Sequence, residues 1–142
     1  MPKLKEYEVF VGSDVIDELE LYASKFKNVS VQNINSTAVG GGVAEILTNM
    51  VPLLQELGIN ARWDVIKGGE KFFECTKKMH NALHGQKETF SKEEIDNYIE
   101  TNESNANQMN LQGDIKFIHD PQPCALIKRK EEIKKKTISK SR

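Results

Sequence analysis

The chain has 142 residues with 20 Lys/Arg against 21 Asp/Glu, a formal net charge of −1. That is enough chain for one domain of ordinary size, and the balance gives no general reason to expect nucleic acid or an anionic membrane as partner. No stretch approaches the roughly 20 apolar residues that span a bilayer, and the opening MPKLKEYEVF lacks the apolar core of a signal peptide. The sequence is therefore read as a soluble cytoplasmic protein. The balance hides an asymmetry. Residues 128–142 hold eight Lys/Arg and two Glu, leaving twelve Lys/Arg and nineteen Asp/Glu in residues 1–127. Cys75 and Cys124 form no CxxC, so neither a disulfide framework nor a zinc site is suggested.

Residues 13–27 read as a helix capped by Ser13 or Asp14, with Val15, Leu19, Tyr22 and Phe26 as one apolar stripe. Val29, Val31 and Ile34 suggest a strand over 29–35. Ser36–Gly42 must be a loop, because three successive glycines do not continue a strand cheaply. Val43, Ile46, Leu47, Met50, Val51, Leu54 and Leu57 then fit one helical face, with Pro52 inside the pattern and Gly58 as the stop. A second strand is predicted over Asn60–Ile66, broken by Gly68-Gly69.

Residues 70–84 predict a helix with Phe72, Phe73, Cys75, Met79, Ala82 and Leu83 as apolar positions. Ser91 with Glu94 makes a capping box for a helix running to about Met109, whose few apolar residues predict a mostly exposed element. Ile115–Ile118 reads as a third strand, ending in His119-Asp120-Pro121-Gln122-Pro123. From Lys128 onward a charged helix or a disordered tail is expected. Strand, glycine loop, helix, strand, helices, strand is the order of a βαβ wound α/β sheet with flanking helices. In such sheets ligands bind beyond the carboxyl ends of the strands, where Ser36–Gly42, Gly68-Gly69 and His119–Pro123 all fall.

Two of these loops have the composition of a binding site. A glycine loop opening a helix aims backbone N–H groups outward at the positive end of the helix dipole, a seat for a phosphate or a sugar hydroxyl. It is neither GxGxxG with its acidic partner nor a Walker loop with its lysine, and a plain turn accounts for it equally well. The loop at 119–123 combines two titratable groups, an amide and two stiffening prolines, which suits it to holding hydroxyl-binding side chains; a capped proline turn is the alternative. His80 and His84 share a helix face at zinc-like spacing, but no glutamate base lies between them, so a metal is not expected.

The runs INSTAVGGGVAEILTNMVPLLQELGINARWDVI (34–66), FFECTKKMHNALHG (72–85) and IHDPQPCALI (118–127) resemble the N-terminal domain of trehalose-forming retaining glycosyltransferases, the glycosyltransferring trehalose synthases and related trehalose phosphorylases. The likeness covers roughly residues 29–127. It implies a GT-B arrangement in which an N-terminal Rossmann-like domain receives acceptor glucose and a second domain holds the nucleotide-sugar, in a reaction needing no metal or other cofactor. Carried over, it places Gly40, Gly41 and Gly42 against the donor. It places His80 and Asn81 near the acceptor, and His119, Asp120 and Gln122 near the reacting sugars. Many relatives have a second histidine where Gln122 stands. Gln122 hydrogen-bonds without titrating, so its implied role is binding, and no catalytic residue is assigned.

On this reading residues 1–28 are a helical extension, 29–127 a partial acceptor-side domain and 128–142 a basic tail. The chain is expected to transfer no glucose alone, its partners being glucose or trehalose, a nucleotide-sugar held elsewhere, and a second copy. A phosphorylase fragment and a non-catalytic sugar- or protein-binding module remain the alternatives.

Overall fold

The computed structural model describes residues 3–129; the basic tail expected from Lys128 onward lies, beyond Arg129, outside the described residues. The elements are α1 (Glu8–Val11), α2 (Ser13–Ser24), β1 (Ser30–Asn35), α3 (Gly42–Glu56), β2 (Asn60–Val65), α4 (Glu70–Leu83), α5 (Lys92–Gln108) and β3 (Ile115–Ile118). Short 3-10 turns at Leu4–Tyr7 and Cys124–Arg129 precede and follow them. The strands form one parallel sheet in the order β2-β1-β3, an α/β architecture with the predicted strand–helix alternation. β1 is central and buried along nearly its whole length, as a strand covered on both faces must be. Its polar residues are accommodated individually: Gln32 Nε2 donates to Asp64 Oδ2 of β2 at 2.8 Å.

The chain divides into two compact units, and each strand begins in the first and ends in the second. The first unit contains α1, α2, α3 and the segments Thr37–Asp64 and Gly113–Phe117. Its core joins Ala23 of α2, Val31 of β1, Leu47 and Val51 of α3, Ile59 and Ala61. Ser30 fastens the start of β1 to the approach to β3, its N–H and Oγ both donating to Asp114 Oδ2. These bonds stabilise the Asp114 carboxylate and hold its pKa below the usual value. Along α3 the expected face is largely inward, but Ile46 is exposed.

α2 departs from expectation twice. Gly12, not Ser13 or Asp14, occupies the N-cap position, and no side chain caps the helix. The residues turned into the core are Ile16 and Ala23, seven apart, while Val15, Leu19, Tyr22 and Phe26 are 41, 41, 50 and 38% exposed. Periodicity locates an apolar stripe but does not say what covers it.

The second unit is built on Ile34, Ile66, Phe72, Cys75, Tyr98, Leu111 and Leu126. Phe72 is the largest fully buried side chain, stacked on Tyr98 with ring centroids 5.9 Å apart. A Cβ on Gly68 would lie 2.3 Å from Phe72 Cδ1, so the glycine is the condition for this packing. α5 opens on the predicted capping box. Ser91 Oγ accepts from Glu94 N–H and Glu94 Oε2 from Ser91 N–H, while Lys78 pairs with Glu94 from α4. Most of α5 is exposed, as its composition predicts, but it buries a stripe made of Tyr98, Asn102 and Asn105.

Candidate functional site

The loop His119–Pro123 leaves β3 in a conformation its own sequence does not favour. Asp120 has φ +70°, the one described residue other than glycine with a positive φ. Aspartate enters that region more readily than most residues with a Cβ, but the residue before a proline favours extended backbone, so the surroundings help to hold it there. They do so on both sides. His119 N–H donates to the Ile34 carbonyl of β1, continuing the ladder one residue past the strand. Tyr98 Oη donates to the Pro121 carbonyl at 2.8 Å, and Asn102 Nδ2 to the Gln122 carbonyl at 3.0 Å. Pro123 is fully buried. His119, Asp120 and Gln122, the three residues singled out here from sequence, thus share one backbone fixed by β1 and α5.

The same helix steadies a second loop. Asn105 Oδ1 accepts from Lys67 N–H and its Nδ2 donates to the Lys67 carbonyl, both at 2.7 Å. The side-chain amide pairs with the backbone as a neighbouring strand would, just past the end of β2. Tyr98, Asn102 and Asn105 lie four and three residues apart, so consecutive turns of α5 hold the loops following β3 and β2. These positioning residues were not singled out from sequence. Their helical spacing was present, but a search for apolar periodicity passes over asparagines.

Two acceptor oxygens complete the arrangement. Asn102 is 1% exposed, and both its Oδ1 and Gln122 Oε1 are enclosed without a hydrogen-bond partner among the described residues. A buried acceptor left unmet is destabilising by about 1–3 kcal/mol, and both oxygens are too enclosed for a ligand to reach while the loop keeps this conformation. Burial pushes the Tyr98 hydroxyl pKa up, with smaller contributions in the same direction from Cys124 and Cys75. Tyr98 therefore remains a donor to the loop throughout the neutral range.

His80 and Asn81 stand elsewhere in this unit, in the last turn of α4. The His80 and His84 rings stack with centroids 4.4 Å apart, and His84 Nδ1 lies 2.9 Å from the His80 carbonyl oxygen. The His84 ring thus adds a second partner to the carbonyl that its own backbone N–H already bonds, a local C-terminal contact that accounts for the spacing of the two histidines. Asn81 Nδ2 donates to Glu88 Oε1, bridging the turn after the helix. His80 remains exposed.

The glycine loop belongs to the first unit. Thr37 Oγ1 donates to the Val39 carbonyl and accepts from Val39 N–H, folding Thr37–Val39 on itself. Gly40 and Gly41 follow at φ +77° and +84°, and α3 starts at Gly42 with no side-chain cap. A Cβ on Gly40, Gly41 or Gly42 would meet nothing within 4 Å. The first turn of α3 thus carries no side-chain cap on its N–H groups, and uncapped N–H groups at a helix start are the kind that receive an anion or hydroxyl. Glu45 in the first turn opposes a strongly charged ligand and favours one whose charge is partly balanced.

Residues 33–141 match the family model for the trehalose synthase N-terminal domain. The chain is 46% identical over 127 residues to a trehalose synthase of Thermococcus litoralis, covering 88% of this chain and 31% of that relative. It is 38% identical over 124 residues to a trehalose synthase of Rubrobacter xylanophilus, covering 85% and 30%. It is 28% identical over 137 residues to a trehalose phosphorylase of Grifola frondosa, covering 87% and 19%. The chain therefore spans less than a third of the length of these relatives.

Proposed function

We propose that this chain, which belongs to the trehalose synthase N-terminal domain family, forms the acceptor side of a retaining GT-B glycosyltransferase that moves glucose from a nucleotide-sugar to glucose, giving trehalose. The observation that carries the reading is the pinned loop His119–Pro123, which holds His119, Asp120 and Gln122 on one fixed backbone just past β3. A pyranose presents hydroxyl groups around a rigid ring, and a loop already held rigid pays little ordering entropy to receive them. His119, Asp120 and Gln122 bind acceptor hydroxyls in this scheme. His80 and Asn81 extend the acceptor side. Gly40–Gly42 give the backbone approach to the donor's phosphates and glucose, with Glu45 tempering the charge.

Stabilisation of the leaving diphosphate needs cations or aimed donors, and no residue of this chain is assigned that task. A pair of Rossmann-like domains facing across a cleft would supply them from the other side. The higher identity to the trehalose synthases than to the trehalose phosphorylase favours synthesis over phosphorolysis. No helix among the described residues is long and apolar enough to cross a membrane; the cytoplasm is the compartment this reading assigns.

The test is a chimera joining this chain to the remaining length of the Thermococcus litoralis synthase. Trehalose formation from a nucleotide-glucose and glucose by the chimera, with none from the 142-residue chain alone, is the expected result. Turnover that scales with the isolated chain, or a folded chimera that binds donor but transfers nothing to glucose, refutes the assignment.

A further inference from the structure

His80 and His84 stand one helical turn apart at the C-terminus of α4, and both are exposed. His84 N–H still bonds the His80 carbonyl at 3.2 Å, so the four-residue spacing that puts two side chains on one helix face is kept to the last residue. Their ring centroids lie 4.4 Å apart with 28° between the planes. Two imidazole nitrogens bound to one ion at about 2.0–2.1 Å, at right to tetrahedral angles, set their ring centres roughly 4.5–5 Å apart. The backbone therefore holds the two rings close to the separation a chelate requires, and a turn of the side chains aims both nitrogens at one point.

His84 carries its proton on the nitrogen that leaves the other one available. Its Nδ1 lies 2.9 Å from the His80 carbonyl oxygen, which only accepts, so in the neutral ring Nδ1 bears the hydrogen and Nε2 keeps its lone pair. A ring N–H held by a backbone carbonyl is the outer contact that metal-ligating histidines make, because it fixes tautomer and orientation together. The His80 ring makes no hydrogen bond among the described residues and can swing to meet the same ion. The carbonyl end of a helix favours a cation, and Glu88, tied to Asn81 at 3.0 Å, adds a carboxylate to the same turn. Lys77, three residues before His80, opposes them.

The ligands select the ion. Neutral imidazoles suit copper(II), nickel(II) and zinc(II), with copper bound most tightly, whereas calcium and magnesium take oxygen ligands. No group of three or more His, Cys, Asp or Glu side chains gathers among the described residues. Water would therefore fill the remaining positions, and the ion would exchange, unlike one in a closed four-ligand zinc site. The missing glutamate between the histidines removes a hydrolytic zinc centre but not a chelate, which needs only the two nitrogens.

We propose that His80 and His84 form an exchangeable chelate for a late first-row divalent ion, copper(II) before nickel(II) or zinc(II). The site itself rests on α4 alone. Its consequence rests on the proposed function, in which His80 lies on the acceptor side: an ion held there withdraws this imidazole from the sugar and inhibits transfer.

Isothermal titration calorimetry of the untagged 142-residue chain with nickel(II) or copper(II) tests the site. Expected is one ion per chain with a dissociation constant in the micromolar range, weakened at least tenfold in His80→Ala and in His84→Gln. Glutamine keeps an amide donor for the His80 carbonyl while removing the imidazole, so lost binding there is not a lost helix end. Copper(II) should broaden amide signals most strongly at residues 80–85. A chain that binds neither ion more tightly than millimolar overturns the proposal. So does binding that both variants leave unchanged, or broadening centred on His119. In the chimera, zinc(II) should inhibit trehalose formation, and His84→Gln, which keeps His80, should lift the inhibition. An ion that binds the pair without inhibiting upholds the chelate and removes His80 from the acceptor side.

Discussion

Replacing Gly41 and Gly42 separately by alanine distinguishes a ligand-approach loop from a plain turn, because the two positions differ in backbone strain. Gly41 holds φ +84° and ψ +150°, a region essentially reserved for glycine and worth about 1–3 kcal/mol when any other residue is forced into it. For a chain of this size each kilocalorie corresponds to roughly 3–4 °C of melting temperature, so Gly41→Ala should melt about 3–10 °C lower whatever the loop binds. A kinetic effect there is ambiguous. Gly42 is different. It is the first residue of α3, its φ is not positive, and the added Cβ meets nothing within 4 Å. Alanine at such a site typically stabilises by about 0.4–1 kcal/mol through the unfolded chain. In the chimera with a donor-side half, Gly42→Ala should therefore melt at or slightly above the parent temperature. Its kcat/KM for the nucleotide-sugar should fall at least tenfold, about 1.4 kcal/mol, because the methyl group stands where the donor must approach. Kinetics within twofold of the parent, with unchanged or raised stability, would refute the donor-contact reasoning and leave these glycines as a turn.

Three further outcomes follow from the geometry. Asn105→Ala removes both side-chain partners of Lys67's backbone and should destabilise the chain by about 1–3 kcal/mol, two hydrogen bonds of about 0.5–1.5 kcal/mol net each beside an exposed residue, measurable by urea unfolding; a loss under half a kilocalorie contradicts the role given to this amide. Because hydrogen bonds from Ser30 hold the Asp114 pKa down, its contribution is present above the unfolded value of about 3.9 and is lost as pH falls through the lower folded value. Asp114→Asn should accordingly be less stable than the parent at pH 7, and its stability should decline less steeply between about pH 5 and pH 2. Cys75 is buried with its pKa raised first by burial and then by Glu94, so alkylation at mildly alkaline pH should label exposed Cys124 readily and Cys75 only after denaturant is added.

The sequence was most legible where one physical signal dominated. β3 was read with both ends correct because Ile115–Ile118 is bounded by Asp114 on one side and by His119 and two prolines on the other. The Ser91–Glu94 box marked the start of α5 because the two side chains satisfy each other's backbone donors, a purely local event. Legibility failed where the answer depended on tertiary partners. The Val15–Phe26 stripe was real as a period, yet the core took Ile16 and Ala23, about a quarter-turn away. The loop at 119–123 was recognisable by composition, but what fixes it comes from β1 and α5, far off in sequence. Tyr98, Asn102 and Asn105 could have been found only by treating polar residues at helical spacing as a face, since their function is hydrogen bonding to loops and not apolar burial. His80 and Asn81 were marked from resemblance. The structure gives Asn81 a bond to Glu88, and the carbonyl of His80 a partner in His84.

The account's central claim is that the loop pinned by α5 receives a sugar, and an isotope-labelled sample of the 142-residue chain titrated with glucose tests it directly by amide chemical shifts. Expected are saturable shifts at His119, Asp120 and Gln122, with a Kd in the millimolar range, about −4 kcal/mol, and weaker binding in Tyr98→Phe as the loop loses its hold on Pro121. Amide spectra that stay unchanged in those residues to saturating glucose, or shifts that appear only elsewhere in the chain, contradict it.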